Sequence, residues 1–133
     1  MKIRVYYEDT DTGGIVYHSN YINFCERARS EAFFCRDISP VLNEGSFVAK
    51  KLEANYIKPA KLGDMLDVKS ELKHMAMTSF TLTQSIYKKK EKLFEMDIVL
   101  VYINNKGRPQ KLGENRDLIK SLFLPHLKED CTP

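Results

Sequence analysis

The chain has 133 residues, and its 21 lysines and arginines against 18 aspartates and glutamates give a formal net charge of +3 at pH 7. At this length, with 43% hydrophobic and 29% charged residues, we expect one soluble globular domain over residues 1–133. No uncharged apolar run approaches the roughly 20 residues of a membrane span, and the first residues lack the apolar core of a signal peptide, so membrane-spanning and exported classes are not expected.

Charged and metal-ligating residues indicate no specific partner. The isoelectric point of 8.7 lies below the value of about 9 that is typical of nucleic-acid-binding domains, so we expect no nucleic-acid partner. The three cysteines, Cys25, Cys35 and Cys131, form no CxxC pair, which favours reduced thiols in a cytoplasmic protein. The three histidines are far apart in the sequence, so we expect neither a structural metal nor another cofactor.

The N-terminal third predicts a strand, a loop and a long helix. Residues Lys2–Tyr7 are β-branched and aromatic, which favours a strand, and Asp9–Gly14 (DTDTGG) has the composition of a turn. Ser19 or Asn20 is predicted to cap the helix that follows. Apolar residues recur there at three- and four-residue spacing, which indicates an amphipathic helix of about four turns: Tyr21, Phe24, Cys25, Ala28 and Ala32.

From Phe47 onward the hydrophobic period becomes two, which predicts strands. The expected strands cover 47–56, 66–73, 80–86 and 98–103, and the last is apolar throughout, so we expect it to be covered on both faces. Glu114–Leu124 predicts a short final helix that Pro125 ends.

This order predicts an α+β fold in which one long helix covers a five-stranded antiparallel sheet, with the last four strands forming a meander. One helix cannot protect both sheet edges, so we expect a second copy of the chain to help.

The segment Glu8–Tyr21 (EDTDTGGIVYHSNY) carries the residues with the most chemical potential. Asp9 and Asp11 stand two apart in a glycine-rich loop, and His18 lies where the helix is predicted to begin. Three functions fit this pattern. In the first, the loop binds calcium; an EF-hand needs an oxygen ligand at its fifth position and a glutamate at its twelfth, where this chain has Gly13 and Asn20.

The second function is structural, because aspartates and glycines are common in turns. The third is catalytic. The N–H groups and partial positive charge of a helix N-terminus suit an oxygen that becomes negative during acyl transfer. A nearby carboxylate can attack a carbonyl or remove a proton from water. The residues alone permit this chemistry without selecting it.

The block RVYYEDTDTGGIVYHSNYINFCERAR resembles the signature of the hotdog-fold acyl-CoA thioesterases. It is most similar to the YbgC type, which is associated with the Tol-Pal system and akin to 4-hydroxybenzoyl-CoA thioesterase. Residues 56–64 (YIKPAKLGD) resemble the segment between the second and third strands of that family, and the strand pattern continues the resemblance to about Asn104.

The resemblance implies a hotdog fold, a five-stranded antiparallel sheet wrapped around one long central helix, and hydrolysis of acyl-CoA to a free acid and CoA. It also implies that two chains join sheet edge to edge with active sites at their interface, and that dimers pair into a homotetramer. A cytoplasmic, Tol-Pal-associated role in lipid metabolism follows from the same resemblance, with acyl carrier protein as a possible further partner.

By position, the family's catalytic carboxylate falls on Asp11, as a nucleophile or as a general base for water. His18 falls at the helix start, where the backbone N–H polarises the thioester carbonyl and the imidazole is available to steer water. Asp9 is expected to be structural. The resemblance further assigns three residues to the substrate pocket: Tyr7, Gly14 and Tyr17.

CoA carries phosphates, so Lys58 and Lys61 are candidate substrate-binding residues, together with the cluster Lys88–Lys92. The benzoyl branch has an arginine-rich run where this chain has Met75–Thr78, so phosphate binding would have to come from elsewhere. Cys25 lies on the apolar stripe of the helix, which favours packing over a nucleophilic role. The alternatives are a hotdog dehydratase, a module that binds acyl chains or acyl carrier protein, and, more remotely, a nucleic-acid-binding module.

Overall fold

The computed structural model describes residues 1–124, which form a five-stranded antiparallel sheet and two α-helices. The strands are β1 (Lys2–Arg4), β2 (Ser46–Tyr56), β3 (Met65–Met75), β4 (Ser79–Lys88) and β5 (Glu91–Ile103). The helices are α1 (His18–Phe34) and α2 (Asn115–Phe123), and a 3₁₀ turn covers Tyr7–Asp9. The predicted fold class, an antiparallel sheet with one long helix packed against it, is confirmed.

The strands lie in the order β1-β3-β4-β5-β2, and every neighbouring pair is antiparallel. The expected four-strand meander is therefore wrong for β2, which pairs with β5 at one edge of the sheet instead of with β3. The connection 57–64 makes this crossing possible because its first part bonds to β5 and its last part lies beside β1. Ile57 N–H donates to the Leu93 carbonyl at 2.9 Å, and Val5 N–H donates to the Asp64 carbonyl at 2.9 Å.

Helix α1 packs on the sheet against β3 and β4, and Phe24, Cys25 and Ala28 are buried between them. The predicted apolar stripe is thus the core-facing side of the helix. The predicted caps are wrong, since α1 begins at His18 and its N-cap is Tyr17, which makes no side-chain capping bond. The chain enters the helix directly from the preceding loop, so the helix begins two to three residues earlier than it would with a polar cap at Ser19 or Asn20.

All five strands differ in length from the prediction, and β2, β3 and β4 are one to three residues longer than expected. β1 ends at Arg4 because the chain turns into the 3₁₀ segment Tyr7–Asp9, and β5 begins seven residues before Ile98, at Glu91. The expected double coverage of β5 holds in part. Ile98, Leu100 and Tyr102 are buried on the inner face, and Val101 is buried on the outer face. Val99 and Ile103, also on the outer face, are only half-buried.

Helix α2 confirms the predicted C-terminal helix, whereas Pro125, His126 and Cys131 lie outside the described residues. Cys25 is a free, buried thiol, but Cys35 is disulfide-bonded, so the expectation of three reduced cysteines is wrong for Cys35. Within residues 1–124, neither helix is long and apolar enough to cross a membrane.

Candidate active site

The loop before α1 is a tight hairpin. Tyr17 N–H donates to the Asp9 carbonyl at 2.9 Å, and Asp11 N–H donates to the Ile15 carbonyl at 2.9 Å. Asp11 then opens the turn, which Gly14 closes with an N–H bond of 3.1 Å to the Asp11 carbonyl and a φ of +79°. A left-handed φ suits glycine because a side chain would be strained there. The loop chemistry read from the sequence therefore places Asp11 at the tip of a hairpin that leads straight into the helix.

The two aspartates of the hairpin have different surroundings. Asp9 is only 8% exposed, and its Oδ2 accepts a bond of 2.9 Å from Tyr6 N–H, which agrees with a structural role. Asp11 is exposed, and its Oδ1 accepts a bond of 2.8 Å from Gly13 N–H. Its second oxygen makes no hydrogen bond with residues 1–124. Asp11 therefore combines a fixed carboxylate with one oxygen open to a substrate or to water.

The N-terminus of α1 lies at the base of the same hairpin. The N–H groups of His18 and Ser19 begin the helix and bond to no described backbone carbonyl, so they retain the donor capacity and partial positive charge of a helix end. The exposed His18 ring lies 4.4 Å from the Tyr17 ring. Asp11 and His18 form no hydrogen bond or ion pair with each other. Along the hairpin, Asp11 lies two residues, about 7 Å, beyond the Asp9–Tyr17 pair that precedes the helix.

The connection 57–64 holds the hairpin and the helix together. Val16 N–H donates to the Ala60 carbonyl at 2.9 Å, and Ala60 N–H donates to the Tyr21 hydroxyl at 2.9 Å. At the end of β2, the Tyr56 hydroxyl donates to the His18 carbonyl at 2.8 Å. Sequence reasoning missed both hydroxyls. Tyr21 was interpreted only as part of the apolar stripe. Tyr56 is the first residue of the segment 56–64, and the family resemblance of that segment is the signal that could have identified it.

The same two tyrosines stay protonated at neutral pH. Burial raises the pKa of Tyr21, the hydrogen bond from the Ala60 N–H acts against it, and the negative charge of Asp11 raises it further. Burial also raises the pKa of Tyr56. Both side chains are therefore hydrogen-bonding hydroxyls rather than bases.

The three pocket residues suggested by the resemblance lie on the surface of one chain. Tyr7 is 82% exposed and Tyr17 is 47% exposed, and Gly14 is exposed at the hairpin turn. All three are exposed and lie close to Asp11 in the sequence. A closed substrate pocket at this end of the helix therefore needs a covering surface in addition to these residues.

Half of the six lysines considered for phosphate binding already have carboxylate partners. Lys58 pairs with Glu91 at 2.6 Å, Lys88 with Asp64 at 3.0 Å and Lys92 with Glu95 at 3.2 Å. Within residues 1–124, three lysines near these pairs make no ion pair: Lys61, Lys89 and Lys90. The Lys61 backbone is fixed, because its N–H donates to Asp64 at 2.9 Å, while its ammonium is available to an anionic ligand.

Two other chemistries find little support at the site. Burial raises the pKa of the Cys25 thiol to about 12, which keeps it protonated and unsuited to attack. No group of three or more His, Cys, Asp or Glu side chains within residues 1–124 is arranged to hold a metal ion.

A cavity of about 270 Å³ lies at the other end of α1. Its wall includes Arg29 and Phe33 of the helix, Ser46 and Phe47 at the start of β2, and Phe80 of β4. The helix wall begins at Glu26, eight positions after His18, which is about 12 Å along the axis. Within one chain, the cavity and the acidic hairpin are thus separate features at opposite ends of both α1 and β2.

Together, the antiparallel sheet, the long helix packed on it and the acidic hairpin at the helix start define a hotdog-fold protein. Residues 13–95 match the thioesterase superfamily. Acyl-CoA thioester hydrolase YbgC of Escherichia coli is 38% identical over 118 residues, covering 85% of this chain and 88% of that protein. Acyl-CoA thioesterase YbgC of Helicobacter pylori is 46% identical over 87 residues; the match spans 65% of each chain, just under two thirds of that relative.

A solved structure gives the same picture. The thioesterase of Thermus thermophilus complexed with coenzyme A and Zn is 26% identical, with a TM-score of 0.80 and coverage of 92% of both chains. The protein therefore belongs to the thioesterase superfamily, within its YbgC group.

Proposed function

We propose that the protein is an acyl-CoA thioesterase that hydrolyses acyl-CoA to a free carboxylic acid and CoA, with Asp11 as the essential carboxylate. The observation that carries this is the exposed Asp11 carboxylate at the tip of a hairpin that leads into the helix N-terminus. Membership of the YbgC group, whose relatives are named acyl-CoA thioesterases, supports the same reaction.

Two routes lead to the same products. In one, an Asp11 oxygen attacks the thioester carbon, CoA leaves as a thiolate, and water hydrolyses the mixed anhydride. In the other, Asp11 takes a proton from the water that attacks this carbon. In both routes, the His18 N–H at the helix start donates a hydrogen bond to the carbonyl oxygen as this oxygen becomes negative. Since a thiol has a pKa of about 8.5, the thiolate leaves without strong acid assistance.

The active form in this proposal is a homodimer that pairs into a tetramer in the cytoplasm, with a Tol-Pal-associated role in lipid metabolism. Among the described strands, β2 pairs only with β5, so one edge of this 11-residue strand has no partner. A long unpaired edge favours pairing with another strand. In this proposal, edge pairing also covers the exposed side chains of Tyr7 and Tyr17. Acyl carrier protein is a further candidate carrier of the acyl group.

CoA binding is proposed near the connection 57–64 and the β4–β5 turn. Lys61, Lys89 and Lys90 have ammonium groups without ion-pair partners in residues 1–124, and Lys58 would exchange Glu91 for a phosphate. The Thermus relative was solved with coenzyme A, which supports a CoA site in this fold.

The test is a thiol-release assay over a panel of acyl-CoAs, run with wild type, Asp11→Asn and Glu8→Gln. We expect Asp11→Asn to lose nearly all turnover with an unchanged melting temperature. Glu8→Gln removes an exposed carboxylate from the adjoining 3₁₀ turn and should keep wild-type rates. A fully active Asp11→Asn would overturn the mechanism. Tight binding of acyl chains without turnover would favour a binding module, and hydration of enoyl substrates would favour a dehydratase.

A further inference from the structure

The cavity beside the second half of α1 has a positively charged side chain in its wall, Arg29, that the proposed hydrolytic mechanism does not use. Arg29 lies in its wall and is half-buried, next to the aromatic rings of Phe33, Phe47 and Phe80. A cavity of about 150 Å³ lined by Leu, Ile and Phe accommodates benzene. At about 270 Å³, this one has room for an acyl group but not for a whole CoA.

Arg29 has spare hydrogen-bonding capacity. Its Nη1 donates to Gln84 Oε1 at 3.3 Å, and no carboxylate within residues 1–124 lies within ion-pair distance. Burial lowers the pKa of Arg29, and the negative charge of Glu26 acts in the opposite direction without forming an ion pair. Glu26 itself is exposed and accepts a bond of 3.0 Å from the Ser30 hydroxyl. A partly desolvated guanidinium with unused donors is suited to a planar anion such as a carboxylate.

Pairing of two β2 strands would bring this cavity beside the hairpin of a second copy. Ser46 and Phe47 at its start line the cavity, while Tyr56 at its end bonds to the His18 carbonyl. The strand has 11 residues, so these ends lie about 33 Å apart in one chain. Antiparallel pairing of two β2 edges about a two-fold axis at the strand centre sets Ser46 opposite the partner's Tyr56. The cavity of one chain then adjoins the helix N-terminus of the other.

We propose that this cavity receives the far end of an acyl group whose thioester is bound at the Asp11 of the partner chain, and that Arg29 selects acyl groups that end in a carboxylate. The inference rests on the proposed thioesterase function and names its substrate class. Arg29 acts here as a specificity residue, because it contacts the distal end of the substrate rather than the reacting carbon. Glu26, at the exposed side of the same cavity, opposes this selection.

The experiment compares acyl-CoA pairs of equal carbon number, glutaryl-CoA with pentanoyl-CoA and adipoyl-CoA with hexanoyl-CoA, with enzyme-free blanks. For wild type we expect a higher kcat/KM for the dicarboxylic member of at least one pair. Arg29→Gln should lower the ratio of dicarboxylic to monocarboxylic kcat/KM about tenfold or more, as expected for the loss of a charge-assisted hydrogen bond. Glu26→Gln should raise it.

Arg27→Gln is the matched control, because it removes the same charge at a position two residues before Arg29. The Arg27 guanidinium is exposed, lies above the Phe24 ring and is outside the cavity wall. It should leave the ratio unchanged. Arg29→Lys keeps the charge and serves if Arg29→Gln unfolds; it should retain part of the selectivity. Equal ratios in wild type and Arg29→Gln, or no dicarboxylic preference in wild type, would overturn the inference while the thioesterase function stands. No Asp11-dependent turnover of any acyl-CoA would overturn both.

Mixed dimers test the arrangement between chains. In a dimer of Asp11→Asn with Arg29→Gln, the intact Asp11 belongs to the chain with the altered cavity. If the acyl group enters the partner's cavity, this mixed dimer hydrolyses acyl-CoA with wild-type selectivity. Selectivity like that of the Arg29→Gln homodimer would overturn the arrangement.

Discussion

The Tyr56 hydroxyl donates a hydrogen bond of 2.8 Å to the carbonyl of His18, and so joins the end of the edge strand to the first residue of the long helix. The Tyr56 ring also lies edge-on to Tyr21 at 5.4 Å and to Phe94 at 5.0 Å. These contacts fix the direction of the helix N-terminus relative to the hairpin that carries Asp11. In the proposed mechanism, Tyr56 is therefore a positioning residue that acts on the reaction through the helix start.

Removing this hydroxyl should impair turnover more than stability. We expect Tyr56→Phe to lower kcat about tenfold, with little change in KM, because the helix N–H groups lose their fixed orientation toward the carbonyl oxygen. Tyr102→Phe is a matched control, since it removes a similar tyrosine bond, to the Leu42 carbonyl, far from the hairpin. It should lower the melting temperature and leave kcat unchanged. Equal effects of both variants on kcat would contradict a positioning role.

The His18 side chain should matter less than the Asp11 carboxylate. His18→Ala keeps the backbone N–H that, in the proposed mechanism, donates to the carbonyl oxygen, and it removes only the exposed ring near Tyr17. We therefore expect a moderate fall in kcat/KM, about 10- to 100-fold, compared with nearly complete loss in Asp11→Asn. Steady-state kinetics of both variants on one acyl-CoA give the ranking. The reverse order would show that the imidazole leads the chemistry.

Asp9 should contribute to stability through the hairpin. Asp9→Ala leaves the Tyr6 N–H without its partner in a site where the carboxylate is 8% exposed. An unsatisfied buried donor costs about 1–3 kcal/mol, so the free energy of unfolding should fall by that amount in urea titrations. Thr12→Ala, a change in the adjacent turn at an exposed side chain, should have little effect. Wild-type stability of Asp9→Ala would contradict the structural role.

Asp64, at the end of the connection 57–64, should make the free energy of unfolding depend on pH in the acid range. Partial burial acts to raise the pKa of Asp64, but bonds from the Lys61 N–H and the Lys88 ammonium outweigh it, and the pKa is lowered. A carboxyl group with a lowered folded pKa stabilises the fold above its unfolded pKa of about 3.9, and this contribution is lost as pH falls through the folded pKa.

We therefore expect Asp64→Asn to be less stable than wild type at pH 7 by about 1 kcal/mol, with the difference narrowing as the pH falls below the unfolded pKa of about 3.9. Melting temperatures measured from pH 2 to pH 7 test this. In Lys88→Met the acid loss should be smaller and should be complete at a higher pH, because the ammonium no longer lowers the folded pKa of Asp64. A difference between Asp64→Asn and wild type that does not change with pH would rule out the linkage.

The unpaired edge of β2 predicts an oligomer. At micromolar concentration the full chain should elute in gel filtration as a dimer or a tetramer, because an 11-residue open edge pairs readily with another strand. Light scattering on the same column gives the mass directly. Elution as a monomer that is active in the thiol-release assay would contradict the proposed interface.

Local pattern was sufficient to predict most of the fold. The three- and four-residue spacing of Phe24, Cys25 and Ala28 specified both the helix and its buried face. Alternation specified three of the four later strands, and an unbroken apolar run specified part of the last. Turn chemistry around Gly14 indicated a turn, whereas the hairpin bonds on either side of it came only from the structure. The helix start was misplaced, because capping propensity favours Ser19 or Asn20, whereas the hairpin bond from Tyr17 N–H to Asp9 decides where the helix begins.

The sequence by itself determined which residue types could perform the chemistry and, through the resemblance, which loop carries them. Only the tertiary structure decided that β2 lies at the edge beside β5, that Tyr56 holds His18, and that Arg29 borders a cavity at the opposite end of the helix. The physical reason is the sequence separation over which each effect acts. Periodicity and turn preferences act between near neighbours in sequence, whereas strand order and cavity walls depend on packing between residues tens of positions apart.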